Sequence, residues 1–169
     1  LAVITLGYLE NMSAEYIQER LSTFDGVKRR YTVKTVGNNI YVDDYAHHPT
    51  AIRYVIEATR SRYPHKKIVA IFQPDRFSRW LRFAKEFAEA MDLADYPFFV
   101  HFPENAKKEP GIDIDIYDIA KYNPRAQVIH EDEAAVKLLS QYDNVVYLFM
   151  SSKDIYKLED QVIAYKQSQ

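Results

Sequence analysis

The sequence predicts a three-layer α/β fold: a mainly parallel sheet with helices on both faces, preceded by a short helical segment. Three observations predict it. From Pro49 onward, helical and strand patterns take turns, an order that implies right-handed crossovers between parallel strands. The runs Ile68-Val69-Ala70-Ile71-Phe72 and Val145-Val146-Tyr147-Leu148-Phe149 are apolar throughout, as strands covered on both faces must be. The densest polar clusters fall at strand-to-helix turns, at the rim where open α/β sheets bind ligands.

Taken in order, residues 1–24 read as two short helices. Ala2, Val3 and Leu6 make an apolar face, and Ser13 is placed to cap a segment carrying Ile17 and Leu21. Asp25-Gly26 signals a turn and a boundary, so 1–24 and 25–169 are predicted to be separate units. Tyr31 to Val36 alternates, Gly37-Asn38-Asn39 turns, and Ile40 to Val42 resumes as the second arm of a hairpin. Pro49 suits a first helical position. Ile52, Val55, Ile56 and Thr59 then form one stripe, closed by Tyr63-Pro64. After the strand at 68–72, Ser78 is the expected cap of a helix bearing Phe83, Phe87, Ala90 and Met91. Phe98-Phe99-Val100 is a strand, 103–111 a loop, and Ile114 to Ala120 a short helix. Gln127-Val128-Ile129, a helix with Ala134, Ala135, Leu138 and Leu139, the strand at 145–149, and a helix with Ile155, Leu158 and Val162 complete the pattern.

Composition narrows the function. A net charge of −2 gives no overall field toward nucleic acid or an anionic membrane. No apolar run approaches the ~20 residues that span a bilayer. With no cysteine there is no thiolate nucleophile or Cys metal site, which fits a reducing, cytoplasmic setting. The chain starts at Leu1, which suggests a piece cut from a longer protein. Only four glycines occur, in neither the GxGxxG nor the GxxxxGK pattern. Phosphoryl transfer needs a cradle for the β- and γ-phosphates and a Mg²⁺ site, so the chain does not hold a whole ATPase.

Three segments can carry chemistry. The first is Val42-Asp43-Asp44-Tyr45-Ala46-His47-His48-Pro49-Thr50-Ala51-Ile52. A carboxylate here can accept from ribose hydroxyls, and an imidazole beside a helix N-terminus can touch a phosphate or orient a nucleophile. The alternatives are a helix-capping Asp with a satisfied interior His, or a metal centre; no HExxH-like ligand spacing supports the metal, and none is predicted. The second is Phe72-Gln73-Pro74-Asp75-Arg76-Phe77-Ser78-Arg79, where Arg76 and Arg79 share a helical face at i, i+3. Cations at a helix N-terminus oppose the macrodipole by about 0.3–1 kcal/mol each, which a bound carboxylate or phosphate would offset. The alternative is local pairing with Asp75 and Glu86. The third, Gly26-Val27-Lys28-Arg29-Arg30-Tyr31, is either a phosphate contact or a solvated strand entrance.

Together and in this order, FDGVKRRY at 24–31, VDDYAHHPTAI at 42–52 and IFQPDRFSR at 71–79 resemble the C-terminal domain of the Mur ligase family, nearest its alanine-adding branch. The resemblance implies a Rossmann-like domain, with 1–24 as the closing helices of an upstream central ATPase domain and 25–169 as the C-terminal domain. It implies an ATP-dependent amide ligase of peptidoglycan-precursor synthesis, and hence of cell-wall biogenesis, cell shape and division. Its substrates would be UDP-N-acetylmuramate and L-alanine. The phosphate cradle and most Mg²⁺ ligands would lie in the central domain, which with an N-terminal UDP-sugar domain lies outside this sequence, leaving these residues inactive alone. Carried over by position, Arg30 would approach ATP, Asp44 the ribose, and Tyr45 and His47 the γ-phosphate and amino-acid site as catalytic groups. Arg76 and Arg79 would bind the acceptor carboxylate. Three departures stand out: Asp75 replaces the family's usual His, Ser151-Ser152-Lys153 replaces its Gly-rich ending, and the loop at 103–109 fits the family pattern only loosely. A murein tripeptide ligase and a noncatalytic nucleotide-binding module are the alternatives.

Overall fold

The computed structural model describes residues 2–24, 26–103 and 115–169. Among these residues, six strands form one sheet in the order β1-β2-β6-β3-β4-β5. They are β1 (Thr32–Val36), β2 (Asn39–Asp44), β3 (Lys67–Phe72), β4 (Tyr96–Val100), β5 (Gln127–Ile129) and β6 (Val145–Met150). Only β1 runs antiparallel, paired with β2 through the register Thr32↔Asp43; the other neighbours are parallel. The parallel, doubly covered sheet is therefore as the apolar runs require.

Side-chain alternation sorts the core into two layers. Val42, Ala70, Phe72, Leu148 and Met150 face α3 (Pro49–Arg62) and α4 (Phe77–Met91). Tyr41, Val69, Ile71, Tyr147 and Phe149 face α5 (Glu133–Leu139) and α6 (Tyr156–Gln167). The turns after β2 and β3 thus lead to one face of the sheet, and the turn after β6, which lies between them, leads to the other. That parting of the chain opens a crevice at the carboxyl rim.

Several local expectations are corrected. Asn39 joins β2 opposite Val36, leaving a two-residue turn with Gly37 at φ +58. Its side chain explains this, donating to Asp143 Oδ1 at 2.9 Å and accepting from Val145 N at 3.1 Å. Ser78 does not cap α4: the helix starts at Phe77, and its N-cap Arg76 makes no side-chain cap bond. Trp80 is fully buried beside Phe87, while Phe83 sits at a kink with φ −127 and is half-buried. The short helix after β4 is a 3-10 helix, Ile116–Lys121. Asp25, most of the 103–111 loop and Ile114 lie outside the described residues.

At the N-terminus, α1 (Ala2–Leu9) and α2 (Ala14–Ser22) pack mainly on one another, with Ser13 Oγ accepting from Tyr16 N. Much of their apolar surface is open, Tyr8 at 77% and Leu9 at 70%. Among the described residues no helix is long and apolar enough to cross a membrane.

Candidate functional site

The site is assembled where β2 ends. Asp44 is only 7% exposed; its Oδ2 accepts from Tyr31 N and its Oδ1 from Ala46 N, each at 2.8 Å. Tyr45 N donates to Arg29 O at 2.8 Å. These bonds strap residues 29–31 across the turn, although Arg29 and Tyr31 are held at φ +60 and +55, which costs about 1–3 kcal/mol each. The sequence offered Asp44 as a ribose contact; in the fold both of its oxygens already serve backbone N–H groups.

Arg29, which the sequence reading passed over in favour of Arg30, joins two strands. Its Nε lies 3.3 Å from Asp43 Oδ2, and its Nη2 donates to Ser151 O at 2.7 Å. Its guanidinium lies 5.6 Å from the Tyr45 ring centroid, and that of the exposed Arg30 lies 5.0 Å away. Tyr45 therefore sits among two cations. His47 Nδ1 is 2.8 Å from Tyr45 O. A carbonyl only accepts, so Nδ1 carries the proton and Nε2 of the neutral ring keeps its lone pair. His48 is the N-cap of α3, its Nδ1 accepting from Thr50 N at 3.4 Å, and Pro49 follows in the first turn. No aspartate is needed as the cap.

The turn after β3 reaches the same rim. Arg79 Nη1 donates to His47 O at 3.4 Å and pairs with Asp75 Oδ1 at 2.7 Å. Asp75 Oδ2 accepts from Ser152 Oγ at 2.8 Å, and Ser151 Oγ donates to Gln73 O at 3.0 Å. So the turns after β2, β3 and β6 are tied together, and Asp75 and Ser152 satisfy each other. The two arginines are not equivalent: Arg79 is neutralised locally, whereas Arg76 is exposed and makes no ion pair among the described residues. The alternative of pairing with Asp75 is realised for Arg79 alone.

Behind this corner, on the α6 face, lies a second electrostatic feature. Glu159 is fully buried, and neither oxygen receives a well-aligned hydrogen bond, although Lys34 Nζ lies 3.0 Å from Oε1. Burial pushes its carboxyl above the ordinary value, and the Lys34 ammonium only partly opposes this. Asp43 is raised for the same reason, with Arg29 opposing. The contribution of Glu159 to stability is present at low pH and fades as pH rises through its raised value in the fold. Glu159→Gln is expected to stabilise the protein near neutral pH by about 1 kcal/mol, roughly 2–4 °C in Tm. The gain should shrink on acidification; thermal unfolding across pH measures both.

Chemically, the rim offers guanidinium groups for an anion, an imidazole nitrogen able to accept a proton, and backbone fixed by mutual hydrogen bonds. Arg30 fits a phosphate: its exposed guanidinium lies over the Tyr45 ring and makes no ion pair among the described residues, whereas His47 Nε2, with its lone pair, suits a proton or a donor rather than an anion. Among the described residues no three His, Asp or Glu side chains converge as a metal cluster.

Comparison with known proteins places these features in context. Residues 29–152 match the family model described as Mur ligase, glutamate ligase domain. The UDP-N-acetylmuramate-alanine ligase of Thermotoga maritima superposes with a TM-score of 0.74 at 27% identity, covering 99% of this chain and 36% of that one. A murein peptide ligase from Psychrobacter arcticus gives 0.71 at 22% identity, covering 98% and 35%. The MurF ligase of Thermotoga maritima, solved with ADP, gives 0.69 at 19%, covering 98% and 37%. The last two likenesses speak for the fold alone. The chain spans little more than a third of the length of these ligases.

Proposed function

The chain belongs to the Mur ligase family, and we propose that it is the C-terminal domain of an ATP-dependent ligase that adds an amino acid to UDP-N-acetylmuramate. Residues 2–24 would then be the closing helices of a central ATPase domain, whose phosphate cradle and Mg²⁺ ligands lie outside this sequence. One observation carries the reading: the hydrogen bond from Arg79 to His47 O joins the turns after β2 and β3 into one corner. An acyl phosphate formed from the muramate carboxylate and ATP would meet the acceptor amine there, the amide C–N bond forming as phosphate leaves. Arg30 and Tyr45 face the nucleotide side. His47 Nε2 can take the proton that the amine sheds, and Arg76, exposed and without an ion pair among the described residues, offers its guanidinium to the acceptor carboxylate. Fixing that carboxylate sets the trajectory of the amine, which is where positioning lowers a barrier. Asp44 would serve the ribose only indirectly, by holding Tyr45 in place.

Alanine is the acceptor that the FQPDRFSR segment supports. The murein tripeptide is the second reading, favoured by the neutralisation of Arg79 by Asp75, which weakens a two-arginine grip on one small amino acid. ADP release by the full-length protein, given UDP-N-acetylmuramate and alanine or the peptide substrates, separates the two; no release with any acceptor would leave a noncatalytic module. With the true acceptor, Arg76→Ala should raise its KM by about tenfold, the equivalent of one lost charge-assisted bond, while the KM for ATP stays near wild type.

A further inference from the structure

Among the described residues, four buried side-chain polar atoms without a hydrogen bond fall on one interface, between β2 and α6. They are Tyr41 Oη, Asp43 Oδ1 and both oxygens of Glu159. Tyr41 and Asp43 alternate onto the α6 face of β2, and Lys34, opposite Tyr41 in the register, joins them from β1. Lys34 Nζ lies 3.0 Å from Glu159 Oε1, yet it donates to Oδ1 of the exposed Asp160, also at 3.0 Å. Arg29 Nε serves Asp43 Oδ2.

Two cations, Arg29 and Lys34, thus meet three carboxylates, Asp43, Glu159 and Asp160. With a proton on Glu159 the charges balance. Without it, a fully buried carboxylate has no cation of its own, which is costly. Burial favours the protonated form, Lys34 opposes it, and Asp43 and Asp160 reinforce it. Burial also pushes the Tyr41 hydroxyl up to about 12, so it stays neutral. On β6 the Tyr147 hydroxyl is committed to the Leu139 and Tyr142 carbonyls, and on α5 Glu133 and Lys137 pair with each other at 2.6 Å.

What the proton controls follows from the helix. Tyr156 precedes Glu159 by three residues and shares its face of α6. The Arg29 guanidinium lies 5.6 Å from the Tyr156 ring centroid and 5.6 Å from that of Tyr45, so it bridges the two rings. The N-cap Ile155 makes no side-chain cap bond, so no cap pins the start of α6. An ionised Glu159 is relieved most cheaply by lifting that first turn toward water, which takes Tyr156 from Arg29.

We propose that Glu159 is a positioning residue: its proton keeps the first turn of α6 seated, and the seated Tyr156 holds Arg29 against Tyr45. By linkage, whatever favours the seated turn favours the proton, so rising pH loosens Tyr45. The inference rests on the ligase reading above, in which Tyr45 faces the nucleotide, and adds a proton-dependent hold on that side of the corner.

The test is the KM for ATP of the full-length protein, followed across the pH range in which it stays folded. ADP release is measured with UDP-N-acetylmuramate and the acceptor that supports turnover, for wild type, Glu159→Gln, Tyr156→Leu and the double variant. Wild type and Glu159→Gln should agree on the acidic side. As pH rises, the wild-type KM should climb about threefold above that of Glu159→Gln, the size of one lost cation–π contact. The ratios of their kcat values and acceptor KM values should stay constant. In the Tyr156→Leu background, Glu159→Gln should change nothing. Parallel pH profiles, or a difference that survives Tyr156→Leu, would overturn the proposal while leaving the ligase reading intact. If no acceptor supports turnover, the ligase reading fails, and NMR of the arginine-labelled full-length protein judges the positioning by itself. The Arg29 side-chain resonance, identified by its loss in Arg29→Lys, should shift with pH in wild type and stay fixed in Glu159→Gln; equal behaviour in both would overturn it.

Discussion

Replacing Asp44 with alanine is expected to cost about 2–4 kcal/mol of stability, because it orphans two backbone donors at once. Tyr31 N and Ala46 N each lie 2.8 Å from one of its oxygens. The carboxylate is nearly buried, so water cannot freely take its place. The loss should spread beyond the side chain. Without Tyr31 N held, the left-handed conformations at Arg29 and Tyr31 lose their support, and Arg29 O is freed from Tyr45 N. Tm should fall by roughly 2–4 °C per kcal/mol. Asp44→Asn keeps one acceptor oxygen and should fall between. Thermal unfolding without nucleotide decides the matter: an unchanged Tm would mean that Asp44 matters only when ribose is bound.

How much of this was legible in the sequence depends on which physical signal each residue carries. The strands at 68–72 and 145–149 were plain because parallel strands covered on both faces have no polar positions to confuse the pattern. Pro49 and the Ile52–Thr59 stripe fixed α3 in the same way. The cap of α4 is not legible from Ser78 because a serine near a helix start is only a local signal; the helix begins one residue earlier, at Phe77, with Arg76 as an N-cap that makes no side-chain cap bond. Arg29 was missed since adjacent arginines look alike in sequence; its left-handed φ and its reach to Ser151 exist only once β2 and β6 are paired. The partnership of Asp75 with Ser152 spans 77 positions and had no sequence signature.

Arg79→Ala is the second large effect expected, and it separates a structural tie from a substrate grip. The Asp75–Arg79 pair is mostly out of water, the side chains 10% and 23% exposed, at 2.7 Å. Removing the guanidinium takes the cation from Asp75 Oδ1, with the Ser152 hydroxyl still on Oδ2, and unties His47 O. The residual exposure of Arg79 argues for the lower end of the range for a broken charged pair, about 1.5–3 kcal/mol. Arg79→Lys keeps the charge without the planar fork and should lose less. In the double variant Arg79→Ala/Asp75→Ala the stranded carboxylate is gone, so part of the stability should return; simple additivity of the two single losses would show that the pair is uncoupled. Function supplies an independent axis. If Arg79 acts by positioning His47 and the turn after β6, Arg79→Ala lowers kcat while Asp75→Asn, which retains a hydrogen-bonding side chain, lowers it less. If Arg79 instead grips the acceptor, its loss appears in the acceptor KM, and Asp75→Asn, by freeing the guanidinium, tightens binding.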